Sequence, residues 1–152
     1  MGTNRTKWDF RFLDLAKHIS NWSKDPSTKV GAIVAKDNIV LGLGYNGFPK
    51  GVIDDPERYN NRDDKYKYIV HAEVNALIMA GHNAKNASLY VYPSFAVPNI
   101  CNECCKFAIQ FGIKEIVSFK SVPTLDLVQR WEESIKISKQ MCQEAGVICR
   151  EI

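Results

Sequence analysis

Apolar positions first fall into register over residues 8–22, where Phe12, Leu15, Ala16, Ile19 and Trp22 recur at steps of three and four. That spacing places them on one face of a helix, and the run Asp25-Pro26-Ser27 stops it. Residues 30–35 and 39–43 are apolar, β-branched stretches parted by Lys36-Asp37-Asn38, which predicts a β-hairpin. Residues 44–70 then lose all periodicity. They carry Gly44, Gly47, Pro49, Gly51 and Pro56, followed by a charged run over 57–67. An irregular loop is expected there, and a connection that long in a compact domain is usually functional or mobile.

Beyond it one pattern occurs three times, a helix closed by glycine and followed by a strand. The three copies are residues 71–80, Gly81 and 88–92; then 101–111, Gly112 and 115–119; then 124–145, Gly146 and 147–152. Glycine at each stop suits the left-handed position that closes a helix. Strands separated by helices need crossovers. The five strands are therefore expected to form one mixed, mainly parallel sheet with helices on both faces, a three-layer α/β/α fold. No repeat or linker divides residues 1–152, which read as a single domain.

Composition narrows function more than fold. Twenty Lys and Arg against 17 Asp and Glu leave a net charge of +3. That is too small for unspecific polyanion binding to be the default, although a local basic site stays open. No run approaches ~18 consecutive apolar residues, so no membrane span is expected. The opening MGTNRTKWDF lacks the apolar centre of a secretory signal. Gly2 with Thr6 fits only the loose myristoylation pattern, with no basic cluster as a second anchor. Three of the five cysteines crowd into Cys101, Cys104 and Cys105. This points to a reducing, cytoplasmic setting and a metal or reactive site, not a disulfide framework.

His71-Ala72-Glu73 opens one expected helix, and Cys101-Asn102-Glu103-Cys104 opens another. Residues three apart share a helical face, so both sulfurs can reach one point. At a helix N-terminus the free N–H groups favour the thiolate that binds metal. Two thiolates and an imidazole make a good set for Zn²⁺. His71 and Glu73 are about 200° apart on an ideal helix, so they cannot both ligate a mid-helix site. At the first turn, however, His71 can point back over the helix end while Glu73 faces the adjacent open position. Three protein ligands leave a fourth position for water, as in catalytic zinc sites. Zn²⁺, two thiolates and a neutral imidazole sum to no net charge. Such a metal acidifies water less than a three-imidazole site does, so a neighbouring base is needed, and Glu73 can supply it. The bland alternative is a structural zinc half-site or a buried thiol pair, with His82, Cys105 or Cys149 completing four ligands.

His-x-Glu at one helix start with CxxC at another is the signature of the zinc-dependent nucleobase deaminases. The likeness continues through WSKDPSTKVGA at 22–32, GLGYNGFPKG at 42–51, YIVHAEVNA at 68–76, LYV at 89–91 and GIKEIV at 112–117. Together these closely resemble the deoxycytidylate (dCMP) deaminase family, over nearly the whole chain and least distinctly after Lys120. HxE with CxxC marks the wider superfamily, whereas the GYNG-x-P-x-G loop and the YxxHAExNA stretch mark the dCMP branch. One departure concerns the residue before the first cysteine. The family has proline there, whereas here it is Ile100, with Pro98 displaced in a longer 92–100 segment that should line the base pocket. The extra Cys/His cluster that some members use for a second, structural zinc is missing.

The resemblance implies a cytidine-deaminase-like fold and hydrolysis of dCMP to dUMP with release of ammonia, supplying dUMP for thymidylate synthesis. It implies that His71, Cys101 and Cys104 hold one catalytic Zn²⁺ per chain. Glu73 would take a proton from water, pass it to N3 of the cytosine ring and then protonate the departing amino group. A backbone N–H near Ala72 would hold the pyrimidine O2, Asn46 would bind the nucleoside, and Val30 with Gly31 and Ala32 would form the pocket wall. For Asn46 the alternative is a turn residue. Ser23, Lys24, Thr28 and Lys29 form the nearest segment for a 5′-phosphate, against the alternative of a solvated loop, and Tyr66 and Tyr68 are candidates to cap base or ribose. Cys105, Cys142 and Cys149 read as core. The family's effector site, where dCTP with Mg²⁺ activates and dTTP inhibits a homohexamer, maps onto Gly44, Tyr45, Gly47, Pro49 and Gly51 with Asp54 and Asp55.

Two other readings compete, another deaminase on the same scaffold, acting on tRNA adenosine or on dCTP, and a non-enzymatic zinc module. A tRNA-adenosine deaminase on the same scaffold needs a wide basic surface, which the +3 charge and the mixed signs of 57–67 argue against. A dCTP deaminase would differ by only a few lysines. A non-enzymatic zinc module needs a fourth protein ligand and no Glu73. Neither nucleic acid nor membrane is expected as a partner.

Overall fold

Lys36 ends β1 (Gly31–Lys36), and Asp37 and Asn38, at φ 52° and 62°, turn the chain into β2 (Ile39–Tyr45). Two positive φ values in a two-residue loop match the right-handed twist of the strands they join. In the computed structural model, which describes residues 2–122 and 124–152, a long α1 (Gly2–Ser20) precedes this hairpin. After it come α2 (Pro56–Asn60), α3 (Arg62–Tyr68), α4 (Ala72–Ala80), β3 (Ser88–Tyr92), α5 (Asn102–Gln110), β4 (Glu115–Ser118), α6 (Leu125–Ala145) and β5 (Ile148–Glu151).

The strands form one five-stranded sheet in the order β2-β1-β3-β4-β5. β1 runs antiparallel to both neighbours, whereas β3, β4 and β5 are parallel. The sheet is therefore evenly mixed and not mainly parallel as expected. The hairpin is the cause: β2 and β3 flank β1 and run alike, so the α4 crossover returns the chain to the far side of β1. Alternation along β1 sends Ile33 and Ala35 to α1, where Phe12, Leu13, Ala16 and Ile19 cover them. Ala32 and Val34 face the other way, onto Ala72, Ala76 and Leu77 of α4 and Cys104 and Ala108 of α5. α6 packs outside α5 through Cys142. Among the described residues no helix is long and apolar enough to cross a membrane.

One close approach fixes α4. A Cβ on Gly42 would lie 2.3 Å from the Ala76 carbonyl oxygen, and one on Gly44 would lie 2.5 Å from that of Ala72. The helix therefore rests directly on the β2 backbone.

Residues 44–70 are not an irregular loop throughout, because they contain α2 and α3. Each begins on a side-chain cap: Asp55 accepts from Glu57 N–H, and Asn61 accepts from Asp64 N–H. Neither helix is long enough to show an apolar period. The glycine stops hold at Gly112 (φ 83°) and Gly146 (φ 73°, ψ 23°). Gly81 differs, closing α4 at φ 57° and ψ −138°, outside the left-handed helical well. At the other end of the sheet Arg150 of β5 ties the fold together. Its guanidinium bonds Asp9 of α1 at 3.0 Å and Glu115 of β4 at 2.9 Å, both carboxylates being buried.

Candidate active site

His71 is the N-cap of α4 in an extended conformation (φ −71°, ψ 152°), and its side chain makes no capping bond. The imidazole is thus free to lean over the helix end. Its Nδ1 lies 3.5 Å from Cys101 Sγ and 3.2 Å from Cys104 Sγ. Cys101 is in turn the N-cap of α5, and its sulfur accepts from the Cys104 N–H at 3.4 Å. Two helix starts therefore meet, each bringing donors to the same point. Zn–N bonds of ~2.0–2.1 Å and Zn–S bonds of ~2.3 Å at tetrahedral angles require N···S edges of about 3.5 Å, so the three residues fit that metal. Among the described residues this trio is the one group of three or more His, Cys, Asp or Glu whose donors all lie within 4.8 Å of one another. Cys105, offered by the sequence as a fourth ligand, turns instead to Cys142 Sγ at 3.6 Å and the Ser138 carbonyl.

The charges follow the geometry. The hydrogen bond that the ring donates to Cys101 pushes His71 up to about 9, against the effect of burial. Cys101 is pulled well below an ordinary thiol, first by its bond to Cys104 and then by His71. Cys104 is pushed up by the same bond and by burial. Within the trio these contacts favour positive charge on the imidazole and negative charge on Cys101. Glu73, in the first turn of α4, is buried at 7% exposure with Oε2 3.9 Å from Cys104 Sγ. Burial raises its carboxyl above the usual carboxylate range, as suits a group that must take up a proton.

His71, Glu73 and Cys101 sit on the wall of a cavity of about 460 Å³, within the range that accommodates small-molecule ligands. Ala72 and Val30 line it beside them, and Ile100 and Phe95 come from the segment before Cys101. That segment is pinned by Asn99, whose amide donates to the Pro93 carbonyl at 2.8 Å and accepts from Phe95 N–H at 3.0 Å.

Residues 6–120 match the family model described as "Cytidine and deoxycytidylate deaminase zinc-binding region". The chain belongs to this deaminase family. An uncharacterized deaminase encoded in the luxG 3′ region of Aliivibrio fischeri is 37% identical over 142 residues, covering 93% of this chain and 91% of that protein. Deoxycytidylate deaminase of Mus musculus is 42% identical over 120 residues, 73% of this chain and 64% of that protein. In fold, the deaminase matches the crystal structure of dCMP deaminase from cyanophage S-TIM5 in complex with dCMP and dUMP. The TM-score is 0.70 at 23% identity, over 96% of this chain and 97% of that one. The cytidine-deaminase-like fold expected from the sequence is thereby shown.

Not every residue singled out in the sequence reaches the deaminase's cavity. Thr28 and Asn46 do. The Asn46 carboxamide is also engaged with the backbone, accepting from Val30 N–H and donating to the Thr28 carbonyl, both at 2.8 Å. Ser23, Lys24, Lys29 and Tyr68 are not among its lining residues. The Ser23 hydroxyl is buried and donates to the Asn46 carbonyl. Lys24 pairs with Asp54 at 2.6 Å, and Lys29 donates to the Ser23 carbonyl. Tyr68 lies under the Arg58 guanidinium, 4.5 Å from its ring centre. Tyr66 does line the cavity, set edge-on to Trp131.

The residues mapped to an effector site are spread over local contacts. Gly44 lies under α4, Tyr45 is edge-on to Trp22, and Gly47 bridges to Val70. Pro49 accepts from Val52 N–H, Gly51 takes φ 85°, and Asp54 accepts from Tyr59 as well as pairing with Lys24.

Sequence reasoning missed two parts of the cavity wall. Asp25 and Lys65 form a buried ion pair on it at 3.2 Å, although Asp25 read as part of a helix stop and Lys65 as part of a charged run. α6 supplies Trp131, Ile135, Lys136 and Lys139. The four-residue steps 131, 135 and 139 are the signal that could have flagged one helical face turned to the site.

Proposed function

We propose that this deaminase, acting as one catalytic domain over residues 1–152, hydrolyses dCMP to dUMP and ammonia and so supplies dUMP for thymidylate synthesis. The observation that carries the reading is a buried, proton-hungry Glu73 beside a His/Cys/Cys trio on the wall of a nucleotide-sized cavity. Its relatives named deoxycytidylate deaminase support the choice of substrate. His71 Nδ1, Cys101 Sγ and Cys104 Sγ would hold Zn²⁺, which when bound supplies Lewis acidity at one open position.

The chain's own groups do the rest. Glu73 takes a proton from the attacking water and delivers it to the ring N3, then takes the second proton from the oxygen now bonded to C4 and gives it to the amino nitrogen, so that ammonia leaves as the C4 carbonyl forms. The Ala72 N–H belongs to the first turn of α4, where no intrahelical acceptor exists, and it holds the pyrimidine O2. Asn46, locked by Val30 and Thr28, presents a fixed amide edge to the nucleoside. Phe95, Ile100 and Trp131 exclude bulk water from the ring. The finer expectations rest on the sequence resemblance: effector control by dCTP with Mg²⁺ and by dTTP, a homohexamer and a cytoplasmic setting.

The test is ammonia release by the zinc-loaded protein from dCMP, dCTP, cytidine and a tRNA anticodon stem. dCMP should be preferred. Glu73→Gln should keep one zinc per chain while losing about 10³-fold or more in kcat. Preference for another substrate, or activity surviving in Glu73→Gln, would overturn the reading.

A further inference from the structure

Part of the cavity wall carries cations that the chemistry at Glu73 does not use. Lys65 is committed to Asp25 at 3.2 Å, and Arg130 to Asp126 at 2.8 Å. Lys136 and Lys139 of α6 also line the cavity, and among the described residues neither makes an ion pair. Glu132, one turn before Lys136, is the one acid that α6 adds to this wall.

The position of these lysines is fixed by the metal-binding end of the site. The Ser134 hydroxyl accepts from Asn102 N–H at 2.9 Å and donates to Asn102 Oδ1 at 2.8 Å, one residue beyond Cys101. At about 1.5 Å per residue along a helix, Lys136 stands about 3 Å past that anchor and Lys139 about 7.5 Å past it. A nucleotide with its ring beside Glu73 carries its charged end away from the ring by the length of a ribose, and these ammonium groups line the same cavity as Glu73. Both lysines are exposed as well as lining the cavity, as a wall that meets a hydrated dianion requires. Of the polar segment that the sequence offers for this task, Ser23 bonds Asn46, Lys24 bonds Asp54 and Lys29 bonds the Ser23 carbonyl, and Thr28, which is uncharged, is the one member that lines the cavity.

We propose that Lys136 and Lys139 bind the 5′-phosphate and are the residues that make this enzyme select a nucleotide over a nucleoside. This rests on the reading of the site as that of a cytosine-nucleotide deaminase. The ammonium groups act as mobile point charges on the phosphate, and a nucleoside forgoes that attraction.

The experiment compares wild type, Lys136→Gln, Lys139→Gln, the double Gln variant and the double Lys→Arg variant, all zinc-loaded. Ammonia release is measured from dCMP and from deoxycytidine, and binding of dUMP and of deoxyuridine is measured directly by calorimetry. The ratio of kcat/KM for dCMP to that for deoxycytidine should fall about tenfold per lysine, because a hydrogen bond to a charged group is worth about one such factor. The loss should lie in KM. The Arg variant should retain the ratio within a few-fold, and wild-type KM for dCMP should rise with salt. The dUMP-to-deoxyuridine affinity ratio should fall in parallel. A double Gln variant with the wild-type ratio in both assays would overturn the inference. If wild type released no ammonia from dCMP, the proposed function would fall, while the dUMP comparison would still decide whether these lysines hold phosphate.

Discussion

Gly44→Ala is the sharpest test of how the fold carries the chemistry. The added methyl would stand 2.5 Å from both the Ala72 carbonyl oxygen and the Ala76 amide nitrogen, about 1 Å inside the 3.4 Å at which ordinary contact begins. Both atoms are backbone, so no side chain can turn aside to make room. β2 is held along its length by its ladder to β1, and the shift therefore passes to α4, whose N-cap is His71 and whose first turn contains Glu73. Overpacking of this kind costs about 1–3 kcal/mol, which lowers Tm by about 2–4 °C per kcal/mol in a chain of this length. A displacement of about 1 Å at a catalytic group can cost about 10²-fold in rate. Gly44→Ala should therefore melt several degrees lower and lose about 10²-fold in kcat for dCMP. Gly47→Ala, whose Cβ meets only the Tyr59 hydroxyl at 4.0 Å, should cost little stability. The assay is ammonia release at saturating dCMP, with zinc content and a thermal melt on the same samples. A Gly44→Ala protein with unchanged Tm and kcat within about threefold of wild type would refute the claim that this contact positions Glu73.

Zinc uptake should release protons. With His71 raised to about 9 and Cys104 raised above an ordinary thiol, two of the three donors are protonated at pH 7 and must lose their protons to bind. Below about pH 9 the apparent zinc affinity should thus fall by about 100-fold per pH unit as pH drops, measurable by competition with a chelator; a pH-independent affinity would contradict the charge assignment. Arg150→Met should destabilise the fold by about 3 kcal/mol near neutral pH, because it strips the buried Asp9 and Glu115 of their shared partner. In the wild type, burial raises Glu115 but its bonds to Arg150 and Ser88 outweigh it, so its pKa is lowered overall. Its stabilising contribution is therefore present above the ordinary carboxylate pKa and is lost as pH falls through the lowered value. The deficit of Arg150→Met in urea melts should accordingly be larger at pH 7 than at pH 4, and an equal deficit at both would argue against the network.

The elements legible in the sequence are those whose signal is carried by many residues at once. α1 holds four of the five apolar positions expected in register, Trp22 falling beyond its end at Ser20; β1 and β2 are parted by a turn that tolerates positive φ, and β3 falls at residues 88–92 as expected. α2 and α3 escaped because a helix of five or seven residues cannot display a period, and what nucleates each is one capping side chain, Asp55 or Asn61. Strand direction escaped for a different reason. Helix–strand alternation after residue 70 speaks for parallel neighbours, but a single hairpin at the start reverses β1 against both of its partners.

The site divides along the same physical line. His71 with Glu73, and Cys101 with Cys104, are two- and three-residue spacings at helix starts, where local geometry alone decides what each side chain can reach. That juxtaposition was legible before any fold was known. The rest of the cavity depends on distance in sequence: Asp25 meets Lys65 forty residues away, and Ser134 anchors α6 to Asn102 across thirty-two. Neither residue carries a mark of its role in its neighbours, since Asp25 precedes a proline as any helix stop would and Lys65 sits in a run of mixed charge. The nearest polar segment offers Ser23, Lys24, Thr28 and Lys29 for a phosphate; the folded chain ties Lys24 to Asp54 and Lys29 to the Ser23 carbonyl, while Thr28 lines the cavity. On the proposed reading, the groups that act on the bond come from neighbours in sequence, whereas recognition of the substrate's far end falls to α6, which the chain reaches only after both halves of the His/Cys/Cys trio are in place.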